Sequence, residues 1–230
     1  MIRFYYHPAP NPAKVALCLE EMGFAYQPLA IDTRRGEQFS SEFRAVNPNA
    51  KTPAIVDEDE GATLFDSNAI LLYLAEKSGQ FFCEDTAAAR GQLYAWLMFI
   101  ATGVGPYSGQ AVHFTHHAPE PNDYAKHRYQ YEVTRHYAVL NDQLSEHRYL
   151  LGDRYTIVDM ALWGWAGPLS FIMGDDIWQR FPNVKRLQDE INARPAAQRT
   201  AELRDRFSFK QEMDEESRQN MFPQNFAAAP

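Results

Sequence analysis

The chain has 230 residues, 45% hydrophobic and 23% charged, a globular rather than a disordered balance. Asp and Glu number 30 against 22 Lys and Arg, a net charge of −8 that argues against the basic surface needed for nonspecific nucleic-acid binding. No apolar run reaches membrane-spanning length, the opening Ile2-Arg3-Phe4-Tyr5-Tyr6 is no signal peptide, and Cys18 and Cys83 are too few for a disulfide scaffold, so a soluble cytoplasmic protein without nucleic-acid or membrane partners is expected.

Ile2 to Tyr6 reads as a β-strand closed by a turn cluster from His7 to Pro12. Pro12 suits the first turn of a helix, which puts Asn11 at its N-cap. Val15, Leu19 and Met22 share one face of that helix, and Gly23 with Phe24 fits a left-handed stop. Tyr26 to Ile31 is a second strand. The loop from Asn47 to Pro53 leads into Ala54-Ile55-Val56 and Thr63-Leu64-Phe65, a hairpin around the acidic turn from Asp57 to Gly61. Asp66-Ser67 opens a helix through Ile70, Leu71 and Leu74 that ends near Lys77 and Gly79. The order βαβ-ββα calls for one parallel pair with a hairpin added to the same sheet.

From Ala88 onward only helical spacing remains, as in Leu93, Trp96, Leu97 and Ile100. Thr156-Ile157-Val158-Asp159 reads as a capping box, with Tyr155 and Met160 as its hydrophobic staple. The helix that follows is apolar on nearly every side and belongs in the middle of a bundle. Val184, Leu187 and Ile191 mark a last helix closed near Arg194-Pro195. The expected class is α/β plus all-α: an α/β domain over 1–77, a linker over 78–87, an all-helical domain over 88–205 and a polar tail over 206–230.

Several residues carry chemistry on their own account. A cis bond costs only about 0.5–1 kcal/mol before proline, so Thr52-Pro53 can form a tight turn that leaves the Thr52 backbone open to an extended peptide. A plain trans proline is the alternative. The helix start at Asp66-Ser67 suits a carboxylate, with the Ser67 hydroxyl as a further donor and the Asp66 charge suited to an amine; simple N-capping is the alternative. Gln38, Lys51 and Arg128 are candidate anion contacts. Cys18, between Leu17 and Leu19, reads as a buried inert thiol. His113, His116 and His117 are spaced like metal ligands but lack Cys or acidic company, so no metal is expected.

Three motifs, Lys51-Thr52-Pro53-Ala54, Phe65-Asp66-Ser67-Asn68-Ala69-Ile70 and Thr156-Ile157-Val158-Asp159-Met160-Ala161, resemble those of the glutathione transferase superfamily. Gly36-Glu37-Gln38-Phe39, Gly105-Pro106-Tyr107-Ser108-Gly109-Gln110 and Tyr124-Ala125-Lys126-His127-Arg128 are similar to its bacterial Nu class of glutathione-dependent disulfide reductases. The resemblance implies a thioredoxin-like N-terminal domain, a helical-bundle C-terminal domain, glutathione as cosubstrate and a homodimer with the site near its interface. It assigns the tripeptide to Thr52, Pro53, Asp66 and Ser67, its glycine carboxylate to Gln38 and Lys51, and a second glutathione to Arg128. Related proteins place a reactive cysteine where this chain has Asn11, and no cysteine occurs before Cys18. The thiol must then come from the ligand, with Asn11 donating to its thiolate. Ala9 stands where the Nu class usually has Thr, one hydroxyl donor fewer. Tyr6 lies where other classes use a tyrosine hydroxyl, but it reads as a packed tyrosine, with a catalytic hydroxyl as the alternative. Glutathione-dependent disulfide reduction is the expected activity. Conjugation or peroxidase chemistry on a small electrophile, with a pocket of Phe99, Tyr107, Phe114 and Trp165, and a noncatalytic binding module remain as alternatives.

Overall fold

The computed structural model describes residues 1–226. β1 (Ile2–Tyr6) buries Ile2, Phe4 and Tyr6 and leaves Arg3 and Tyr5 partly open, the two-residue alternation of a sheet with one face covered. α1 (Pro10–Met22) follows and ends at Gly23, whose φ of 68° is left-handed. The Phe24 N–H reaches back to the Leu19 carbonyl at 3.1 Å, completing the predicted stop. β2 (Tyr26–Ala30) pairs with β1 in parallel, and as an edge strand it tolerates Pro28.

A short 3-10 turn (Glu37–Phe39) and α2 (Ser41–Val46) come next, neither of which the sequence announced. Ser40 caps α2 by accepting from the Phe43 N–H at 3.2 Å, and Phe43 is buried against Ile31 and Ala54. β3 (Ala54–Asp57) and β4 (Ala62–Phe65) form the expected hairpin. The sheet order is β2-β1-β3-β4, with β3 antiparallel to both β1 and β4. α3 (Ser67–Ser78) starts directly after β4.

The helices that follow are α4 (Ala87–Phe99), α5 (Gly105–Val112), α6 (Asp123–Glu146), α7 (Ile157–Ala166), α8 (Leu169–Met173), α9 (Ile177–Arg180), α10 (Pro182–Asn192), α11 (Pro195–Asp205) and α12 (Glu215–Met221). Two π-helical stretches, Ile100–Val104 and His113–His117, flank α5. α7 packs against α4 and α10 and buries nearly all of its side chains, as its apolar circumference predicted. Its capping box is complete: Thr156 Oγ1 accepts from the Val158 N–H, and Asp159 Oδ2 accepts from the Thr156 N–H at 2.8 Å. Asp159 Oδ1 also accepts from the Leu150 N–H at 2.8 Å. Burial pushes the Asp159 carboxyl up to about 6 against the opposing pull of these bonds. The expected last helix does not close the fold. α10 ends at Asn192 and Pro195 opens α11, a position where a missing N–H costs nothing.

The chain divides into two compact units. One holds Met1–Ile70 together with the chain from Arg199 onward; the other is Leu71–Gln198. Among the described residues no helix is long and apolar enough to cross a membrane.

Candidate functional site

The register of the first unit's sheet gathers the predicted residues at one end. Tyr5 pairs with Ala54, and Ala54 pairs with Phe65. Because β3 runs antiparallel to β1 and β4, the next residues at that edge are Tyr6, Pro53 and Asp66, and the Thr52-Pro53 bond is cis. Thr52 is half-buried and lies beyond the last paired residue of β3, so its backbone stands outside the ladder.

α1 begins two residues earlier than expected. Ala9 is the N-cap and makes no side-chain cap bond; Pro10 is the first helical residue, and Asn11 and Pro12 follow. Asn11 is therefore not the N-cap but the second helical residue, half-buried in the first turn. Pro10, with its fixed φ, starts the helix as readily as Pro12 would, and two prolines fit one first turn because neither position needs an N–H. Of the first three helical residues only Asn11 has a backbone N–H at all.

Asp66 is exposed and adopts φ 68°, a left-handed conformation uncommon outside glycine. Its Oδ1 accepts from the N–H groups of Asn68 at 2.9 Å and Ala69 at 3.1 Å, so it caps α3 as the simpler reading held. Ser67 and Asn68 are buried at the start of the helix.

Lys14 is a further residue of this region, outside the motifs of the sequence. It is 1% exposed, and its Nζ donates to Asn68 Oδ1 at 2.8 Å, joining the second turn of α1 to the first turn of α3 directly. Burial lowers its amine to about 7, opposed by the Asp66 charge. The signal was its spacing: Lys14, Cys18 and Met22 fall on one helical stripe, and the latter two are core. Cys18 is fully buried and its thiol is pushed far up by burial, which makes it inert.

Gln38 is buried, but its partner is unexpected. Its Nε2 donates to the carbonyl of Asn220, and Asn220 Nδ2 donates to the Arg34 carbonyl, both at 3.0 Å. The segment after Arg206 thus docks on the loop between β2 and α2. There the Lys210 N–H reaches Asp32 Oδ2 at 2.7 Å, and the Arg34 guanidinium reaches the Lys210 and Gln211 carbonyls. Phe209 packs edge-on against Tyr6 and His7. Tyr6 is 3% exposed and burial pushes its hydroxyl up to about 12, so it is the packed tyrosine of the two readings. Lys51 is exposed, and its backbone carbonyl accepts from Asn47 Nδ2.

The second unit holds Arg128, exposed on α6 and paired with the buried Glu132 at 3.3 Å. Glu132 also meets Arg135 at 2.9 Å. His136 lies one turn on, with Nδ1 2.7 Å from the Glu132 carbonyl and its ring over Phe99 and Tyr107. Phe114 stacks on Tyr129 at 5.4 Å, and Tyr107 lies 6.3 Å from Tyr129. Three of the four residues expected to line an electrophile pocket, Phe99, Tyr107 and Phe114, thus share one aromatic cluster with Tyr129 and His136. Trp165 is brought close by Gly105, where a Cβ would come within 3.0 Å of the indole nitrogen. Gly103 makes similar room for His136. π-helical turns like the two flanking α5 occur often at functional sites. His116 stacks on Phe171 and contacts its carbonyl at 2.9 Å. Among the described residues no His, Cys, Asp and Glu group could hold a metal. Cys83 lines a cleft of about 430 Å³ within the second unit, beside Trp96, His147 and Arg154.

Comparison with known proteins places this geometry. The model "Glutathione S-transferase, N-terminal domain" matches residues 1–76, and "Glutathione S-transferase, C-terminal domain" matches 123–187. The chain is 40% identical to the disulfide-bond oxidoreductase YfcG of Escherichia coli over 208 residues, covering 85% of this chain and 92% of the relative. It is 37% identical to the disulfide-bond oxidoreductase YghU of the same organism, covering 86% of this chain and 73% of the relative. A glutathione transferase family member from Pseudomonas fluorescens, crystallised with two glutathione bound, superposes with a TM-score of 0.81 at 36% identity, over 86% of this chain and 91% of the other. One from Pseudomonas putida, with one glutathione disulfide bound per subunit, gives 0.81 at 35%, over 86% and 90%. The chain belongs to the glutathione S-transferase family.

Proposed function

We propose that the chain is a glutathione-dependent disulfide-bond oxidoreductase. The observation that carries this reading is the first turn of α1, where Asn11 sits between two prolines and no cysteine precedes Cys18. The polypeptide has no sulfur of its own there, so the reacting thiol belongs to the ligand. The names of the two Escherichia coli relatives and the glutathione and glutathione disulfide bound in the Pseudomonas structures support the same chemistry.

A free thiol of this kind titrates near 8.5. A hydrogen bond from Asn11 to the thiolate, worth about 1.5–3 kcal/mol, lowers that by roughly one to two pH units, and the helix N-terminus adds to it. The thiolate attacks one sulfur of a disulfide; a mixed disulfide forms and the other half leaves as a thiolate that takes up a proton. A second glutathione thiolate attacks the glutathione sulfur of the mixed disulfide, releasing the remaining thiol and glutathione disulfide. Two glutathiones are oxidised for each disulfide reduced.

Thr52 and Pro53 receive the peptide backbone of the ligand, and Ser67 with the first turn of α3 its γ-glutamyl carboxylate. Asp66 faces the α-amino group. Lys51 meets the glycine carboxylate, the buried Gln38 braces the neighbouring loop through its bond to the Asn220 carbonyl rather than meeting that carboxylate itself, and Arg128 serves a second glutathione. The protein acts in the cytoplasm on small disulfides, as a homodimer. Phe65 on the first unit and Tyr94 and Met98 on α4 are exposed apolar side chains available to such an interface.

The aromatic cluster of Phe99, Tyr107, Phe114 and Tyr129 favours a second reading, conjugation of glutathione to an apolar electrophile. Parallel assays of the purified protein with 2-hydroxyethyl disulfide and with an aryl halide separate the two. Disulfide turnover well above conjugation is expected; the reverse order removes the proposed function.

A further inference from the structure

We propose that Lys14 is a positioning residue for glutathione, holding the start of α1 and the start of α3 at one spacing through its hydrogen bond to Asn68. This rests on the glutathione reading of the site, in which α1 faces the ligand's sulfur and α3 its γ-glutamyl end.

A lysine this deeply buried is rare, and its amine is costly to bury for packing alone; an apolar side chain of similar length fills the same volume without that cost. What the amine adds is a bond of 2.8 Å to a residue 54 positions away. Both ends of that bond lie at the site. Lys14 is one turn below Asn11 on α1 and so shares its side of the helix. Asn68 is the second residue of α3, next to Ser67, and its own N–H donates to Asp66 Oδ1 at 2.9 Å. A continuous chain of hydrogen bonds, Lys14 to Asn68 to Asp66, thus runs from the helix that carries the sulfur contact to the carboxylate that faces the α-amino group. Asp66 is held in a left-handed conformation, so the orientation of its carboxylate depends on what its neighbours hold in place. An amine donates an N–H whether or not it is protonated, so the bond survives titration of Lys14. A ligand that spans two helix starts is sensitive to their spacing, and a ligated thiol already in place is not.

The test uses the full chain, with Lys14→Met, Asn68→Leu and the double variant. Calorimetry with glutathione gives Kd, turnover of 2-hydroxyethyl disulfide at saturating glutathione gives kcat, and thermal unfolding reports the fold. Each single variant is expected to weaken glutathione binding about ten-fold, the loss of one buried hydrogen bond, with kcat within about two-fold. The double variant is expected to be no weaker than either single, since both remove the same bond. Wild-type affinity in a folded Lys14→Met protein overturns the proposal while leaving the glutathione reading intact. Should Lys14→Met not fold, unchanged affinity in Asn68→Leu overturns it equally. If the wild-type chain itself binds neither glutathione nor glutathione disulfide, the glutathione reading fails, and this proposal with it.

Discussion

Lys14→Met should make the protein's stability less dependent on pH in a calculable way. The Lys14 amine titrates at an ordinary 10.5 in the unfolded chain and at about 7 when folded. Above 10.5 it is neutral in both states and contributes no difference. As pH falls from 10.5 to 7, the unfolded chain binds a proton that the folded chain does not, so stability is lost across that window and the loss is complete below 7. At 1.36 kcal/mol per pH unit, the loss is about 2 kcal/mol at pH 9 and about 5 kcal/mol at pH 6. Methionine fills the same volume and has no proton to bind. It also leaves Asn68 Oδ1 without its donor, which costs about 1–3 kcal/mol at every pH. The informative quantity is therefore the difference between variant and wild type as a function of pH, in which titrations common to both chains cancel. Urea unfolding of both proteins at several pH values from 6 to 9.5 measures it. The advantage of the variant should shrink by about 3 kcal/mol between pH 6 and pH 9. A difference that stays flat over that range would refute the claim that burial, and not merely the bond to Asn68, dominates at Lys14.

Asn11→Ala should raise the pKa of bound glutathione by roughly one to two units and cut disulfide turnover by about ten- to twenty-five-fold at pH 7, the fall in thiolate fraction. Thiolate absorbance in the ultraviolet, titrated with glutathione bound, reads the first; an unmoved titration means the sulfur is activated elsewhere. Tyr6→Phe should keep kcat within about two-fold, because the hydroxyl is buried and held protonated to about 12. A fall of more than ten-fold in steady-state turnover would put that hydroxyl back in the chemistry. Asp159→Ala removes the acceptor of the Thr156 and Leu150 N–H groups, both fully within the second unit's core. It should cost about 3 kcal/mol or more in unfolding free energy, and a loss below about 1 kcal/mol would show that the capping box carries little of the helix's stability.

Local chemistry made several features legible in the linear chain. Gly23 stops α1 because only a residue without Cβ adopts its φ of 68° at no steric cost, and that requirement is visible one residue at a time. Thr156 and Asp159 cap α7 across three positions, and the hairpin closes over the short acidic turn between β3 and β4. The motif around Thr52-Pro53 and Asp66-Ser67 was readable for the same reason: each is a few consecutive residues. The start of α1 is ambiguous in the sequence because two prolines, Pro10 and Pro12, satisfy the same local rule, and in the structure Pro10 leads. α2 has six residues, fewer than two turns, too short for its buried Phe43 to leave a periodic trace.

Tertiary structure alone decided the partners that lie far apart in sequence. Gln38 looked like a free anion contact, yet its amide meets a carbonyl 182 positions later, at Asn220. Nothing local to Lys14 shows that it is 1% exposed and bonded to Asn68, 54 positions later. Tyr6 was ambiguous until Phe209 covered it. A side chain's burial and charge state are set by whatever packs on it, and here that came from segments whose own spacing says nothing about where they return.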